Sequence, residues 1–378
     1  MTKDPDKKST TYVEDETTWK EGATLGFKGF LMGAADVVPG VSGGTIALIT
    51  GIYDRWIQAI RSFDSVALTH FMKGNIKGFT GRIHWKFIFL LALGMFLAIL
   101  FFTRVVPMQI YIFTHPELVF GLFFGLIIGS VVMLLLEVKP GERTWKNFFP
   151  LIAGAAFGFW IVTLVPTDTP ETFSFVFLSG AIAISALMLP GISGSYLLLI
   201  FRKYDYILTQ LAGIGGSETV ESLINLLPFV LGLATGLILF SRILTWLLKR
   251  YHTLTLVFFT GFLIGSIHIL WPFQERVYEE TEQGREIYSY HDPSIQALLE
   301  RDEIPVLPEY RIATDVLNPE DTLENWEVEI IQIRTRVIAS DPVWPDLNSG
   351  EHNVTQGTAG IILGIIMVGL ISVLRRKG

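Results

Sequence analysis

The residues best placed to do chemistry fall in two short blocks inside otherwise apolar sequence. Pro39-Gly40-Val41-Ser42-Gly43-Gly44, with Thr45 beside it, is followed by Tyr53-Asp54; Pro190-Gly191-Ile192-Ser193-Gly194-Ser195 is followed by Tyr204-Asp205. Every pair in that comparison is 151 residues apart. Glycine permits close backbone approach and positive φ, so successive N–H groups can converge on an anion, and a short helix after each block would add its N-terminal dipole. Ser42, Thr45, Ser193 and Ser195 set hydroxyl donors beside those amides. The guest such a nest suits is a phosphate. The competing structural reading makes both blocks simple kinks or tight packing points, since Gly and Pro are common in membrane helices.

Other charged residues are sparse near the blocks. Arg104 and Arg242 occupy equivalent places in the two copies, where each either meets an arriving phosphate or only snorkels to headgroups. Asp36 precedes the first block within an apolar stretch, where an unpaired carboxylate is costly; its counterpart is Leu187, so its role is not duplicated. Asp36, Asp54 and Asp205 are the candidates for coupling or gating, with a plain helix-terminus or Arg-pairing role the competing reading of Asp36. The histidines show no metal-ligand spacing, and His268 reads as hydrogen-bonded to a neighbouring helix. Asn353-Val354-Thr355 fits a glycosylation sequon, which is a short and weak match. No metal or cofactor is called for.

The elements that must position these blocks are membrane helices. Half of the 378 residues are apolar and mean hydropathy is +0.47, too little polar surface for a soluble domain of this size. Cysteine is absent, which removes disulfides, thiolate nucleophiles and Cys-ligated metal centres. Spans are expected at 87–106, 118–136, 227–247 and 254–271, with weaker ones at 148–165 and 358–374. Stretches 25–52 and 174–201 are hydrophobic but broken in the middle by the two blocks, and read as re-entrant helix pairs.

The repeat continues beyond the blocks. Leu93-Gly94 and Arg104 match Leu231-Gly232 and Arg242 at a spacing of 138, and Gly125, Gly129 and Ser130 match Gly261, Gly265 and Ser266 at 136. The expected fold class is therefore an all-α polytopic membrane protein of two inverted repeats, each a broken hairpin plus two spans. The parts are a tail at 1–24, repeat one at 25–137, a linking helix with its loops at 138–173, repeat two at 174–272, an insert at 273–357 and a C-terminal helix with a basic tail at 358–378. The insert holds 19 of the 36 acids and no lysine, which leaves the rest modestly basic.

Putting the basic loops in the cytoplasm places both termini there and the insert outside, with Arg202-Lys203 the exception to the pattern. An odd crossing between the copies inverts one relative to the other, the plan of many secondary transporters. The Met1–Lys28 region shows no signal-peptide pattern. The insert, with strand-like alternation from Glu327 to Val337, is expected either to dock another envelope protein or to cover the domain. Nothing points to nucleic acid.

The block Asp36-Val37-Val38-Pro39-Gly40-Val41-Ser42-Gly43-Gly44-Thr45, with Gly51-Ile52-Tyr53-Asp54, resembles the signature of the PopT-type bacterial polyprenyl-phosphate transporters. That family was long catalogued as a membrane domain of unknown function. The resemblance covers most of residues 22–271 and the last helix. It implies translocation of undecaprenyl phosphate, or a related polyprenyl phosphate, across the bacterial cytoplasmic membrane for reuse in cell-wall and envelope synthesis. Integral-membrane polyprenyl-diphosphate phosphatases are similar in a Pro-Gly-x-Ser block, but theirs continues with Arg-Ser where this chain has Gly43-Gly44 and Gly194-Ser195. Without a motif arginine to stabilise phosphoryl charge, hydrolysis is the lesser reading. A small-anion channel or carrier is the third.

Overall fold

The computed structural model describes residues 15, 17–38, 42–138, 140–142, 145–216, 219–299, 307, 309–317, 326–346 and 352–377. After a short turn at Trp19–Glu21 come α1 (Gly22–Asp36), α2 (Gly43–Ile49) and α3 (Tyr53–Arg61). Two small helices, α4 (Ser65–Met72) and α5 (Ile76–Arg82), lead to α6 (Trp85–Arg104), α7 (Met108–Thr114) and α8 (Pro116–Glu137). Then follow α9 (Phe148–Val162), α10 (Phe173–Met188), α11 (Gly194–Ile200), α12 (Tyr204–Gly213), α13 (Thr219–Arg250) and α14 (His252–Ser266). The insert carries β1 (Gln274–Ser289), α15 (Pro293–Leu299), β2 (Glu309–Val316) and β3 (Glu327–Pro342), and α16 (Val354–Lys377) ends the chain.

Among the described residues, five segments are long and apolar enough to cross a membrane: Trp85–Arg104, Pro116–Glu137, Thr219–Arg250, His252–Leu270 and Val354–Val373. They include the four strong spans expected from sequence and the weaker C-terminal one. The expected span at 148–165 is instead the 15-residue α9, a shorter apolar helix. Both broken stretches consist of a helix of 15 or 16 residues and one of 7. At about 1.5 Å per residue, a 7-residue helix rises only about 10 Å, far short of a hydrocarbon core of about 30 Å.

Glycine seams fix how these helices pair, because without a hydrophobic force between helices in lipid the backbones must approach closely. A Cβ on Gly94 would lie 2.0 Å from the Gly26 carbonyl oxygen, and one on Gly232 would lie 2.0 Å from that of Phe177. These seal α1 to α6 and α10 to α13. Gly26 and Phe177 are again 151 positions apart, so duplicated residues make matching contacts.

A second set of seams joins α8 to α16 and α14 to α9. A Cβ on Gly364 would meet the Leu122 carbonyl at 2.2 Å, and one on Gly154 the Phe258 carbonyl at 2.1 Å. Leu122 and Phe258 differ by the 136-residue spacing of that part of the repeat. The C-terminal α16 thus stands to α8 as α9 stands to α14, a correspondence the sequence reading missed because the two helices lie at opposite ends of their copies.

The all-α expectation needs one correction. The insert is a three-stranded antiparallel sheet in the order β1-β3-β2, over a small core of Ile295, Val328 and Ile330. In β3 the buried Val328 and Ile330 alternate with Glu327 and Glu329, and Glu329 pairs with Arg285 of β1 at 3.3 Å. The sheet is tied to the helices where the Trp271 indole N–H donates to the Val343 carbonyl at 2.8 Å and the Val343 N–H to Phe273 at 3.0 Å. There Arg276 lies over the Phe120 ring of α8 at 4.6 Å.

Candidate functional site

The two broken segments meet each other. From the first, the Ser42 hydroxyl donates to the Leu189 carbonyl at 3.1 Å; from the second, the Gly191 N–H donates to Thr45 Oγ1 at 2.9 Å. The Tyr53 hydroxyl reaches the Met188 carbonyl at 2.5 Å. A Cβ on Gly44 would sit 3.1 Å from the Leu187 carbonyl oxygen and 3.3 Å from that of Leu189. Irregular backbone at membrane depth survives only where its polar groups find partners, and here each break supplies some of the other's.

Within the first block, Ser42 is the N-cap of α2 and its oxygen accepts the Gly44 N–H at 3.1 Å. Asp36, last residue of α1, accepts the Gly43 N–H at 2.7 Å, so its carboxylate covers the start of α2. Gly43 leaves little room for that carboxylate, since a Cβ there would lie 2.7 Å from Asp36 Oδ2. At the far end of α2 the Lys28 ammonium donates to the Thr50 carbonyl at 3.0 Å. A seven-residue helix is thus closed by an acid at one end and a base at the other, both from α1.

The second block is closed differently. Pro190 is buried in a turn, and Gly191 has φ +93°, a left-handed conformation that a side chain would strain. The Ser193 and Ser195 hydroxyls bond each other at 2.7 Å, and a Cβ on Gly194 would meet the Ala183 carbonyl at 2.5 Å. After α11 the chain turns at Arg202 with φ +50°, 151 residues on from Gly51 with φ +74°. The next residue, Lys203, is buried and donates to the Thr169 carbonyl at 2.8 Å. That explains why Arg202-Lys203 broke the charge pattern of the loops: Lys203 works as a structural tie.

The structure brings Ser42, Gly44 and Thr45 against the 187–191 segment, while Gly43 faces Asp36; Pro190 lies in the turn of that segment, Ser193 is the N-cap of α11, and Gly194 and Ser195 are its first residues. Pro39 and Gly40 lie outside the described residues. Arg104 ends α6 and Arg242 lies on α13; both are exposed, and neither side chain makes a hydrogen bond or ion pair among the described residues. Asp54 is exposed in the first turn of α3, and Asp205 begins α12 half-buried. His268 packs edge-on against the Phe159 ring at 5.2 Å between centroids, where a hydrogen bond was expected. Asn353 caps α16 through the Gln356 N–H at 3.0 Å.

Sequence reasoning missed the supporting roles of Lys28, Tyr53 and Lys203. Lys28 read as the end of a polar tail, yet a lysine six residues into a helix with an apolar face was the available signal.

Residues 32–287, which include both blocks, match the sequence pattern of the VCA0040-like, undecaprenyl phosphate translocase-like family. The chain belongs to that family. Among relatives of this translocase-like chain is the polyprenyl-phosphate transporter of Vibrio cholerae serotype O1, 40% identical over 248 residues that cover 66% of this chain and 77% of the relative. The polyprenyl-phosphate transporter of Staphylococcus aureus is 32% identical over 264 residues, 65% of this chain and 84% of that one. No solved structure matches the chain.

Proposed function

We propose that this membrane protein is a transporter that carries a polyprenyl phosphate, the phosphate passing between the two broken segments while the tail stays in the apolar phase. The observation that carries this reading is the direct contact between segments 146 and 147 residues apart, made by hydroxyl and amide groups of the kind a phosphate would use. Moving a phosphate through hydrocarbon unaided is prohibitive, so protein donors must replace its water. In this arrangement Ser42 donates to the Leu189 carbonyl and Gly191 to Thr45, so the donors are spent within the protein. Each such bond contributes only about 0.5–1.5 kcal/mol net, so a charged headgroup can displace them at modest cost.

The direction we infer is return of undecaprenyl phosphate, or a close relative, to the cytoplasmic leaflet of the bacterial inner membrane, with the termini inside and the sheet outside. The loop charges support that orientation. The repeat is supported by the matching glycine seams, and the inversion of one copy by the change from basic residues before α9 (Lys139, Arg143, Lys146) to acidic ones after it (Asp168, Glu171). Rocking of one copy against the other would open the hydroxyl seam to each side in turn.

The alternative of diphosphate hydrolysis has no support in the blocks, whose positions after Ser42 and Ser193 are glycine or serine. The deciding experiment offers undecaprenyl phosphate and undecaprenyl diphosphate to the purified full chain in vesicles. Movement of the monophosphate between leaflets with no phosphate released from the diphosphate is the expected result. Release of phosphate would replace the transporter by a phosphatase.

A further inference from the structure

The two copies differ at one place that bears on the substrate's tail. In the second copy an apolar groove of about 330 Å³ lies between α9, α10, α11 and α13, within the roughly 300–1,000 Å³ usual for ligand sites. Leu189 and Ile192, which flank Pro190 and Gly191, form its inner end, and Leu239 and Ile243 of α13 form its outer rim. The rim is open, Leu239 being 56% and Ile243 53% exposed. Its one hydroxyl, on Ser185, is already committed to the Ala181 carbonyl at 2.7 Å, so the groove offers nothing to a polar guest.

In the first copy the same place is filled. The 151-residue spacing maps Ala181 on the groove wall to Phe30, and the 138-residue spacing maps Leu239 and Phe240 to Phe101 and Phe102. Phe30 packs on both of those rings, with centroids 5.8 and 6.0 Å apart. A phenyl group thus occupies in one copy what a methyl group leaves empty in the other. Generic lipid packing predicts no such asymmetry between duplicated surfaces.

We infer that the groove of the second copy holds the first isoprene units of the substrate's tail, and that Ala181 is the residue that admits them. The inference rests on the polyprenyl-phosphate reading above. The groove's inner end adjoins the segment that meets Ser42, so a chain lying in it would start where the headgroup is held. Its walls are branched aliphatic and aromatic, matched to a methyl-branched polyprene, and its open rim lets the long remainder run into the bilayer. The tail of a polyprenyl phosphate, and not a peptide or a soluble metabolite, is the occupant with that chemistry.

The test compares undecaprenyl phosphate with methyl phosphate, which bears the same headgroup and no isoprene unit, using the purified chain in vesicles of phosphatidylethanolamine and phosphatidylglycerol. Ala181→Phe copies the first copy's plug; Leu239→Trp narrows the rim from an exposed position that tolerates bulk and guards against a folding defect. Both are expected to slow undecaprenyl phosphate by about ten-fold, the scale set by shape changes in a hydrophobic pocket, and to leave methyl phosphate unchanged. A diazirine in the tail next to the phosphate should label α10 or α13 in the parent and lose that label in Ala181→Phe. Unchanged movement of the long substrate in both variants overturns the groove assignment while the headgroup reading stands. Equal loss of both substrates in variants with the parent's melting temperature also overturns it, because the groove would then serve the headgroup. Failure of the parent to move either substrate overturns the transport reading and the groove with it.

Discussion

The first broken segment is held by charge beside its serine cap, and the second by paired hydroxyls and a left-handed glycine turn. Asp36 and Lys28 close the two ends of α2, whereas their counterparts are Leu187, which brings no charge, and Ser179, which bonds back to Val176 within its own helix. Duplication preserved the break and its glycines but not the groups that stabilise them. The backbone geometry is therefore the shared requirement, and each copy met its unpaired amides and carbonyls with different chemistry. The first copy also closed its lipid-facing groove with Phe30 where the second left it open.

The comparison is tested most severely at the seams. Gly94→Val and Gly232→Val each drive a side chain into a carbonyl at 2.0 Å, more than the about 1–3 kcal/mol usual for overpacking. Both variants should fail to give a stable folded protein, by size-exclusion profile in detergent. If one is tolerated and the other is not, the packing equivalence of the copies is broken.

Next in size are the blocks themselves. Gly194→Val meets fixed backbone at Ala183, while Gly43→Val meets the carboxylate of Asp36, which can swing aside. Both should abolish lipid movement, but Gly194→Val should lower the melting temperature more. Normal transport by both would end the proposal that the phosphate passes here.

Exchanging the stabilisers sharpens the contrast. Asp36→Leu gives the first copy the second's residue and leaves the Gly43 N–H without its acceptor, a loss of about 1–3 kcal/mol. Asp36→Asn keeps an acceptor and should retain most of the stability, measured by thermal unfolding. Equal stability of the two variants would show that the carboxylate does not hold α2. Arg104→Ala and Arg242→Ala should each weaken transport, with Lys a partial rescue; unchanged flux in the alanine forms would leave both as headgroup anchors.

The smallest effect lies in the helical loop that follows only the first hairpin. Asp64 caps α4 through the Val66 and Ala67 N–H groups and pairs with Arg82 of α5 at 2.6 Å. Burial works to raise its carboxyl, but Arg82 and those amides outweigh it and hold the group below its usual range. A depressed folded value means the stabilisation is complete above the unfolded value of about 3.9 and is lost as acidification passes through the folded one. Asp64→Ala should cost about 0.5–2 kcal/mol at neutral pH, and that difference from the parent should vanish in acid unfolding measurements.

Much of this protein was legible in one sequence. Apolar runs of membrane length gave the spans because a bilayer has a fixed thickness, and six matching positions in two blocks gave the repeat because a helix break needs the same glycines wherever it occurs. Hydropathy overestimated α9, whose apolar run outlasts its helix, and alternation in Glu327–Val337 hinted at a strand without revealing a sheet, since strands pair over distances no local window sees.

What the sequence determined by itself was composition, period and the location of unpaired backbone, all of which are local properties. Only the tertiary structure decided which groups satisfy that backbone: Asp36 on Gly43, Lys28 on Thr50, Thr45 on Gly191. It also decided that α16 completes the first copy as α9 completes the second, and that Phe30 fills a groove Ala181 leaves open. Hydrogen bonds and packing depend on which surfaces meet, and residues about 150 positions apart become neighbours only when the helices that carry them are set side by side.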